Sequence, residues 1–350
     1  IMEVLVYEFF SAGGSSQWQE TVETASLLKE GAAMVAAVAD DLVRLGNANP
    51  VVIQDRRLSG GMRQLAGDVV WVDDSQSEQR EFDRLVTQAD WTILVAPEWD
   101  DILLQRARRC LQRGGRLLGP GPELIQLAAD KGALAHYLQQ HDLPVPSGHA
   151  LQHGDPLPDS FDYPAVLKPR FGAGSAGICW VNDPTDQVAW DASFDEYRME
   201  SYCPGVPISV AVLMGPAGNI VLPPCYQSLS QDHTFLYLGG QVPINDELVE
   251  RAQRLAHRVA AVLPGGVGYV GLDMVLGEDA QQDVLIEVNP RLTTSYVGLS
   301  ALVNGNLAEG ILRVAEGSAW PVSFRSDPVR FDASGRIMAA AMDCTCPEFP

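Results

Sequence analysis

Two stretches of the chain carry residue types at spacings that can handle a polyphosphate. In residues 166–178, VLKPRFGAGSAGI, Lys168 leads into a loop holding Gly172, Gly174, Ser175 and Gly177. Glycines let a backbone fold tightly and turn its amides toward an anion. A lysine beside them supplies a point charge for phosphate. Lys168 precedes the glycines and no G-K-[ST] follows, so this is not a Walker A loop. An ordinary glycine-rich hairpin accounts for the segment equally well.

The second stretch reads GLDMVL at 271–276, a polar turn at 277–283, and VLIEVNPR at 284–291. Side chains at i and i+2 share a strand face, so Glu287 and Asn289 point the same way. A hairpin centred near residue 280 sets Asp273 opposite Glu287. Two opposed carboxylates are unfavourable unless a cation lies between them. With Asn289 they form a hard oxygen set that suits Mg²⁺, with Mn²⁺ the alternative, when substrate phosphates complete the octahedron. The competing explanation, a solvated hairpin with acids in chance register, fits poorly with the apolar neighbours. Arg291 follows, and its rigid guanidinium fork suits a carboxylate or a transferring phosphoryl group. Thr293, Thr294 and Ser295 then precede a helix expected near Tyr296. Such a terminus can hold a carboxylate, although Ser295 alone reads as a plain N-cap.

The elements that must position these groups follow from periodicity. Apolar runs at 4–7, 50–54, 69–72, 91–96 and 116–118 predict strands. Between the first two, Val35, Val38, Leu42 and Leu45 keep helical spacing. Buried strands separated by helices imply a parallel sheet covered on both faces, with ligands beyond the strands' carboxyl ends. Those ends carry Glu8, the loop with Ser11, Gly13 and Gly14, and Glu98. Glu8 and Glu98 are places to hold a substrate ammonium or, equally, surface carboxylates at loop starts. Gly119-Pro-Gly-Pro marks a break. Two helices are expected at 124–129 and 131–141. Beyond Pro164 short β runs dominate, at 165–168, 178–181, 197–203, 208–214, 220–222, 267–276 and 284–289. One strong helix follows Asn245, with an apolar stripe from Leu248 to Val262, and a last helix is expected near 307–316. Tyr237-Leu-Gly-Gly reads as a tight turn, and His233 as a lone loop histidine.

The chain has 350 residues, enough for two or three packing units. Its 46% hydrophobic and 20% charged residues are ordinary for a globular protein. The formal charge of −21 argues against nucleic acid or an anionic membrane as partner, so an anionic substrate needs a local basic pocket. Lysine is scarce: Lys29, Lys131 and Lys168 only. Six scattered cysteines without a framework point to reduced thiols and a cytoplasmic setting, and Cys344-x-Cys346 reads as incidental. No signal peptide is expected, and no run of about 18 or more apolar residues is present.

Taken in order, these features resemble the ATP-grasp superfamily of carboxylate–amine ligases over roughly residues 120 to 317. The resemblance implies a Rossmann-like α/β domain at 1–119, contributing the substrate side. An α+β ATP-grasp fold would follow, with a central subdomain at 120–195, a C-terminal subdomain at 196–320 and a tail at 321–350. It makes Lys131 the first phosphate lysine, Lys168 the second, and the glycine loop a lid. It reads MESYCPGVPISVAVL (199–213) as the adenine hinge, with Glu200 taking the adenine amino group and Ser201, Tyr202 and Cys203 lining the base. Asp273, Glu287 and Asn289 match the magnesium ligands, and EVNPR is the most recognisable string. Two positions depart. The residue that is often an acidic ribose ligand is Pro207, and an arginine of D-alanine ligases is replaced by Gly271. The strings VYEFFSAGG, LVAPEWDD and NPRLTTSYVG are similar to the tyramine–glutamate ligase branch, which serves furan-type C1 carrier biosynthesis.

The implied activity is ATP-dependent: a small-molecule carboxylate attacks the γ-phosphorus, and an amine displaces phosphate from the acyl phosphate. Lys168 and Arg291 would be the catalytic groups. A carboxylase using bicarbonate, or a non-catalytic ATP-binding module, are the alternatives. Whether the chain forms a homo-oligomer stays open.

Overall fold

The computed structural model describes residues 1–14, 22–58 and 65–338. Cys344 and Cys346 lie outside the described residues. The first domain is a four-stranded parallel sheet in the order Asp68–Val72, Ala48–Asp55, Met2–Glu8, Trp91–Val95. Residue 117 adds a parallel bridge beside Thr92. Alternate side chains of Met2–Glu8 enter two separate cores. Val4 and Val6 pack with Val38 and Leu42 of the helix Val22–Arg44, whereas Leu5 and Tyr7 pack with Phe82 and Leu103. This is how a period-2 strand becomes apolar throughout when both faces are covered. Asp74 starts the helix Ser75–Val86 with a capping box, its carboxylate accepting from the Ser77 amide at 2.7 Å.

The helix Val22–Arg44 also joins this domain to the far end of the chain. Asp41, fully buried, accepts hydrogen bonds from the Tyr296 hydroxyl at 2.6 Å and the Ser300 hydroxyl at 2.9 Å. Both donors sit on the helix Ser295–Leu302.

A second, antiparallel sheet runs Gly148–Gln152, Glu196–Ser201, Ala165–Pro169, Cys179–Val181. The glycine loop connects its last two strands, as expected. Gly148–Gln152 escapes periodicity because it is an edge strand, exposed at all but Leu151.

The third sheet is antiparallel, in the order Val284–Asn289, Gly268–Leu276, Val206–Met214, Cys225–Leu229, Tyr237–Val242, Val329–Asp332, Ile337–Met338, with Ile220–Val221 beside Val206–Met214. The helix Asp246–Ala260 covers one face through Ala252, Leu255 and Val259. Tyr237-Leu-Gly-Gly is therefore a strand and not a turn. Its glycines are needed because the neighbouring strand crowds them: a Cβ at Gly240 would lie 2.8 Å from the Phe331 ring. The stretch expected as a tail supplies the strands Val329–Asp332, whose Phe331 is fully buried, and Ile337–Met338 to this sheet, and its Ser323–Phe324 pairs with Val303–Asn304 in a small separate ladder.

Candidate active site

The three sheets converge on a cavity of about 570 Å³. Its chemistry begins with register. Asp273 pairs directly with Glu287, Gly271 with Asn289, and on the other side Asp273 pairs with Ser209. The oxygen ligands foreseen from the hairpin thus share one face. Asn289 Nδ2 donates to Asp273 Oδ2 at 2.9 Å, and Gln227 Nε2 donates to Asp273 Oδ1 at 3.1 Å. Burial, and then the Glu287 charge, push the Asp273 carboxyl up to about 6. Glu287 is also pushed up by burial, but Lys131 and Lys168 outweigh that and hold it below its ordinary value. Among the described residues, no group of three or more His, Cys, Asp or Glu is gathered for a metal. Two carboxylates and an amide oxygen fit Mg²⁺ or Mn²⁺ only if phosphate oxygens and waters supply the rest, and the opposed Asp273–Glu287 pair, of which Lys131 meets only Glu287, favours such a cation.

Gly271 belongs to the same construction. A Cβ there would stand 2.3 Å from Thr293 Cγ2, so no longer side chain fits while Thr293 keeps its place. Thr293 is held in turn by Tyr269, their hydroxyls 2.9 Å apart.

Both sequence-predicted lysines reach this region. Lys168, buried on Ala165–Pro169, places Nζ 2.5 Å from Glu200 Oε2, while Arg198 Nε donates to Glu200 Oε1 at 2.7 Å. Glu200 lines the cavity, but its two oxygens are engaged by Lys168 and Arg198. Lys131 opens the helix Lys131–Gln140, which Asp130 caps by accepting from the Gly132 and Ala133 amides. Its Nζ lies 3.0 Å from Glu287 Oε1 and donates to the Gly172 carbonyl at 2.5 Å. Gly174 and Ser175 line the cavity with Ser201, Tyr202 and Cys203; Lys131 and Gly172 do not, and Lys131 reaches it only through the lining residue Glu287. Ser175 Oγ donates to the Phe235 carbonyl at 2.7 Å, joining the glycine loop to residues 230–236. That second loop brings His233 4.5 Å from the Trp180 ring, and both rings face the cavity.

The other end of the cavity belongs to the first domain and to residues 291–295. Arg291, Thr294 and Ser295 line it with Glu8. Glu8 and Glu98 are not surface carboxylates; both are buried. Glu8 accepts from the Phe10 amide at 3.0 Å and the Ser11 amide at 2.6 Å, and burial pushes its carboxyl up to about 7 against those bonds. Glu98 lies outside the cavity wall, with Oε1 2.9 Å from Arg291 Nε. Ser11, Gly13 and Gly14 do not line the cavity; they build the turn that caps Glu8 and packs on Asp55 and Phe9.

Periodicity did contain one acid that went unremarked. Glu30 lies on the helix Val22–Arg44 at i+3 from Leu27 and i−4 from Met34, and all three line the cavity. Thr294 Oγ1 donates to Glu30 Oε2 at 3.4 Å, and burial raises the Glu30 carboxyl above its ordinary value. An acid within an apolar helix stripe was the available signal. Gln227, Ser209 and Trp180 carried none, because only the sheet order brings them here.

Comparison with known proteins adds to this geometry. The model of the pre ATP-grasp 3 domain matches residues 49–125, and that of the ATP-grasp domain matches 128–295. Tyramine–L-glutamate ligase of Methanocaldococcus jannaschii is 25% identical over 65% of this chain and 63% of its own length. The carbamoyl phosphate synthase large chain of Micrococcus luteus is 25% identical over 62% of this chain but 20% of its own. The chain thus spans under two thirds of these relatives. A crystal structure of an ATP-grasp superfamily protein from Archaeoglobus fulgidus superposes with a TM-score of 0.69 at 21% identity, covering 95% of this chain and 92% of that one. It shares the fold.

Proposed function

The chain carries a pre-ATP-grasp domain followed by an ATP-grasp domain, and from that premise we propose that it is an ATP-dependent carbon–nitrogen ligase that joins the side-chain carboxyl of glutamate to tyramine through an acyl phosphate. One observation carries the reading. Asp273, Glu287, Asn289 and Arg291 line a single cavity with Lys168 at one end and Glu8 with Glu30 at the other. A site that only bound ATP would need no arginine or paired carboxylates beside the γ-phosphate.

Lys168 and Lys131 neutralise the α- and β-phosphates, and the amides of residues 173–175 close over them. Asp273, Glu287 and Asn289 are the residues that would hold Mg²⁺, which when bound withdraws charge from the β- and γ-phosphates. The acid's carboxylate oxygen attacks the γ-phosphorus and ADP leaves. Arg291 stabilises the equatorial oxygens of the transferring group, so its contribution is positioning and charge. The amine nitrogen then attacks the acyl carbon, the tetrahedral adduct expels phosphate, and the amide remains. An amine reaches the site as an ammonium and must lose a proton first. Glu8 and Glu30 face that end, and an acid raised to about 7 accepts a proton near neutrality. Phe10, Leu27 and Met34 add apolar surface beside them, which suits an aryl body.

The test is phosphate release from ATP over a panel of acids and amines, with hydroxylamine to trap the activated acid as a hydroxamate. Glutamate with tyramine should yield the amide by mass spectrometry. Another productive pair would overturn the substrates and leave the ligase class standing. Turnover with bicarbonate alone would make the protein a carboxylase. ATP binding without turnover for every pair would make it a binding module.

A further inference from the structure

Arg291 reaches the cavity from the C-terminal subdomain, but the carboxylate that holds it comes from the first domain, 193 residues earlier. Glu98 follows the strand Trp91–Val95, and Val95, Ala96 and Pro97 line the cavity while Glu98 turns behind Arg291. Its carboxylate approaches one edge of the guanidinium, with Oε1 2.9 Å from Nε and Oε2 accepting from Nη2 at 3.4 Å. The guanidinium has two further partners, both uncharged: the Leu292 carbonyl accepts from Nη1 at 3.2 Å and Asn289 Oδ1 accepts from Nη2 at 3.5 Å. Among the described residues Glu98 is the one carboxylate in ion-pair contact with Arg291, and the two side chains are 6% and 13% exposed. In such a desolvated pair each member fixes the other, and removing one strands the other's charge.

We infer that Glu98 is a positioning residue for phosphoryl transfer: as the buried counter-charge on the Nε edge of Arg291 it sets the guanidinium's orientation, so that the Nη1 side meets the γ-phosphoryl group. The inference rests on the role given above to Arg291. It makes the chemical step depend on the first domain standing against the C-terminal subdomain, because the clamp and the clamped group belong to different domains.

The test uses the full chain with ATP, divalent cation and saturating acid, and reads hydroxamate formation. Glu98→Gln should lower kcat about 10- to 100-fold with KM for ATP within about twofold of the parent. Arg291→Ala should lower kcat further, and the double variant should be no slower than Arg291→Ala alone, since the clamp has then nothing to hold. Glu98→Asp keeps the charge one methylene short and should show the same split at smaller size, which covers the case of a glutamine variant that does not fold. A Glu98 variant that keeps full kcat, or that raises KM instead, overturns the inference. So does a double variant whose losses multiply. If Arg291→Ala itself turns over normally, the assignment of Arg291 falls, which is a different failure from an inactive Arg291→Ala beside a normal Glu98→Gln.

Discussion

Asp273 is held in a condition the fold alone would not choose. Its carboxyl is pushed up to about 6 because it is buried beside Glu287. Asp273→Asn removes that repulsion and keeps the shape, so the unliganded protein should melt at the same temperature or higher while ATP turnover is lost; thermal denaturation and phosphate release on one preparation check both. Glu8 gives a pH signature of definite sign. Its folded value, about 7, lies above the ordinary 4.5, so the folded state binds the proton more tightly. Its contribution is complete below the ordinary value and lost as pH rises through about 7. At about 1.4 kcal/mol per unit this amounts to about 3–4 kcal/mol. Glu8→Gln should flatten that decline in urea titrations between pH 4.5 and 7. An unchanged slope would refute the protonated acid. At this scale much was legible. Strand period and turn length alone set Asp273 against Glu287, because pairing across a hairpin is a local matter. The roles of Ser11, Gly13 and Gly14 were not legible: whether a loop faces a ligand or its own strand's carboxylate depends on packing that no spacing records.

At the scale of elements, the hairpin Gly268–Leu276 with Val284–Asn289 is built to tight tolerance around a missing side chain. Gly271→Ala places a methyl carbon 2.3 Å from Thr293 Cγ2. It should cost about 1–3 kcal/mol, and a denaturant midpoint shifted by less than about 0.5 kcal/mol would show that Thr293 yields freely. The glycine loop is tied to residues 230–236 by the Ser175 hydroxyl. Ser175→Ala should loosen that closure, and phosphate released per amide formed should rise as water reaches the acyl phosphate. Elements with a buried face announced themselves, as the helix Asp246–Ala260 did with its apolar stripe. Among those missed were the exposed edge Gly148–Gln152, the strands Cys225–Leu229 and Val329–Asp332, and the strand Tyr237–Val242, whose glycines imitate a turn while serving a crowded neighbour.

Across the whole molecule, the joint between first and last parts runs through Asp41. Asp41→Ala would leave the Tyr296 and Ser300 hydroxyls without their acceptor in a buried place. A loss of about 2–4 kcal/mol in chemical denaturation is expected, with a fall in turnover as Glu98 and Arg291 drift apart. No described helix is long and apolar enough to cross a membrane, and the thiols of Cys110, Cys179, Cys203 and Cys225 are free. The parallel sheet of the first domain followed from the alternation of elements, and the α+β remainder from the family resemblance. The meeting of three sheets at one cavity did not, since it depends on contacts hundreds of residues apart.

Each lysine proposed for the nucleotide already leans on an acid of its own, Lys131 on Glu287 and Lys168 on Glu200. An incoming triphosphate therefore exchanges places with internal counter-ions instead of falling onto bare positive charge. Two habits follow. Nucleotide affinity should vary less steeply with ionic strength than in a pocket of unpaired lysines. It should also drop sharply under chelation, since Lys131 stays bound to Glu287 until that carboxylate finds another cation.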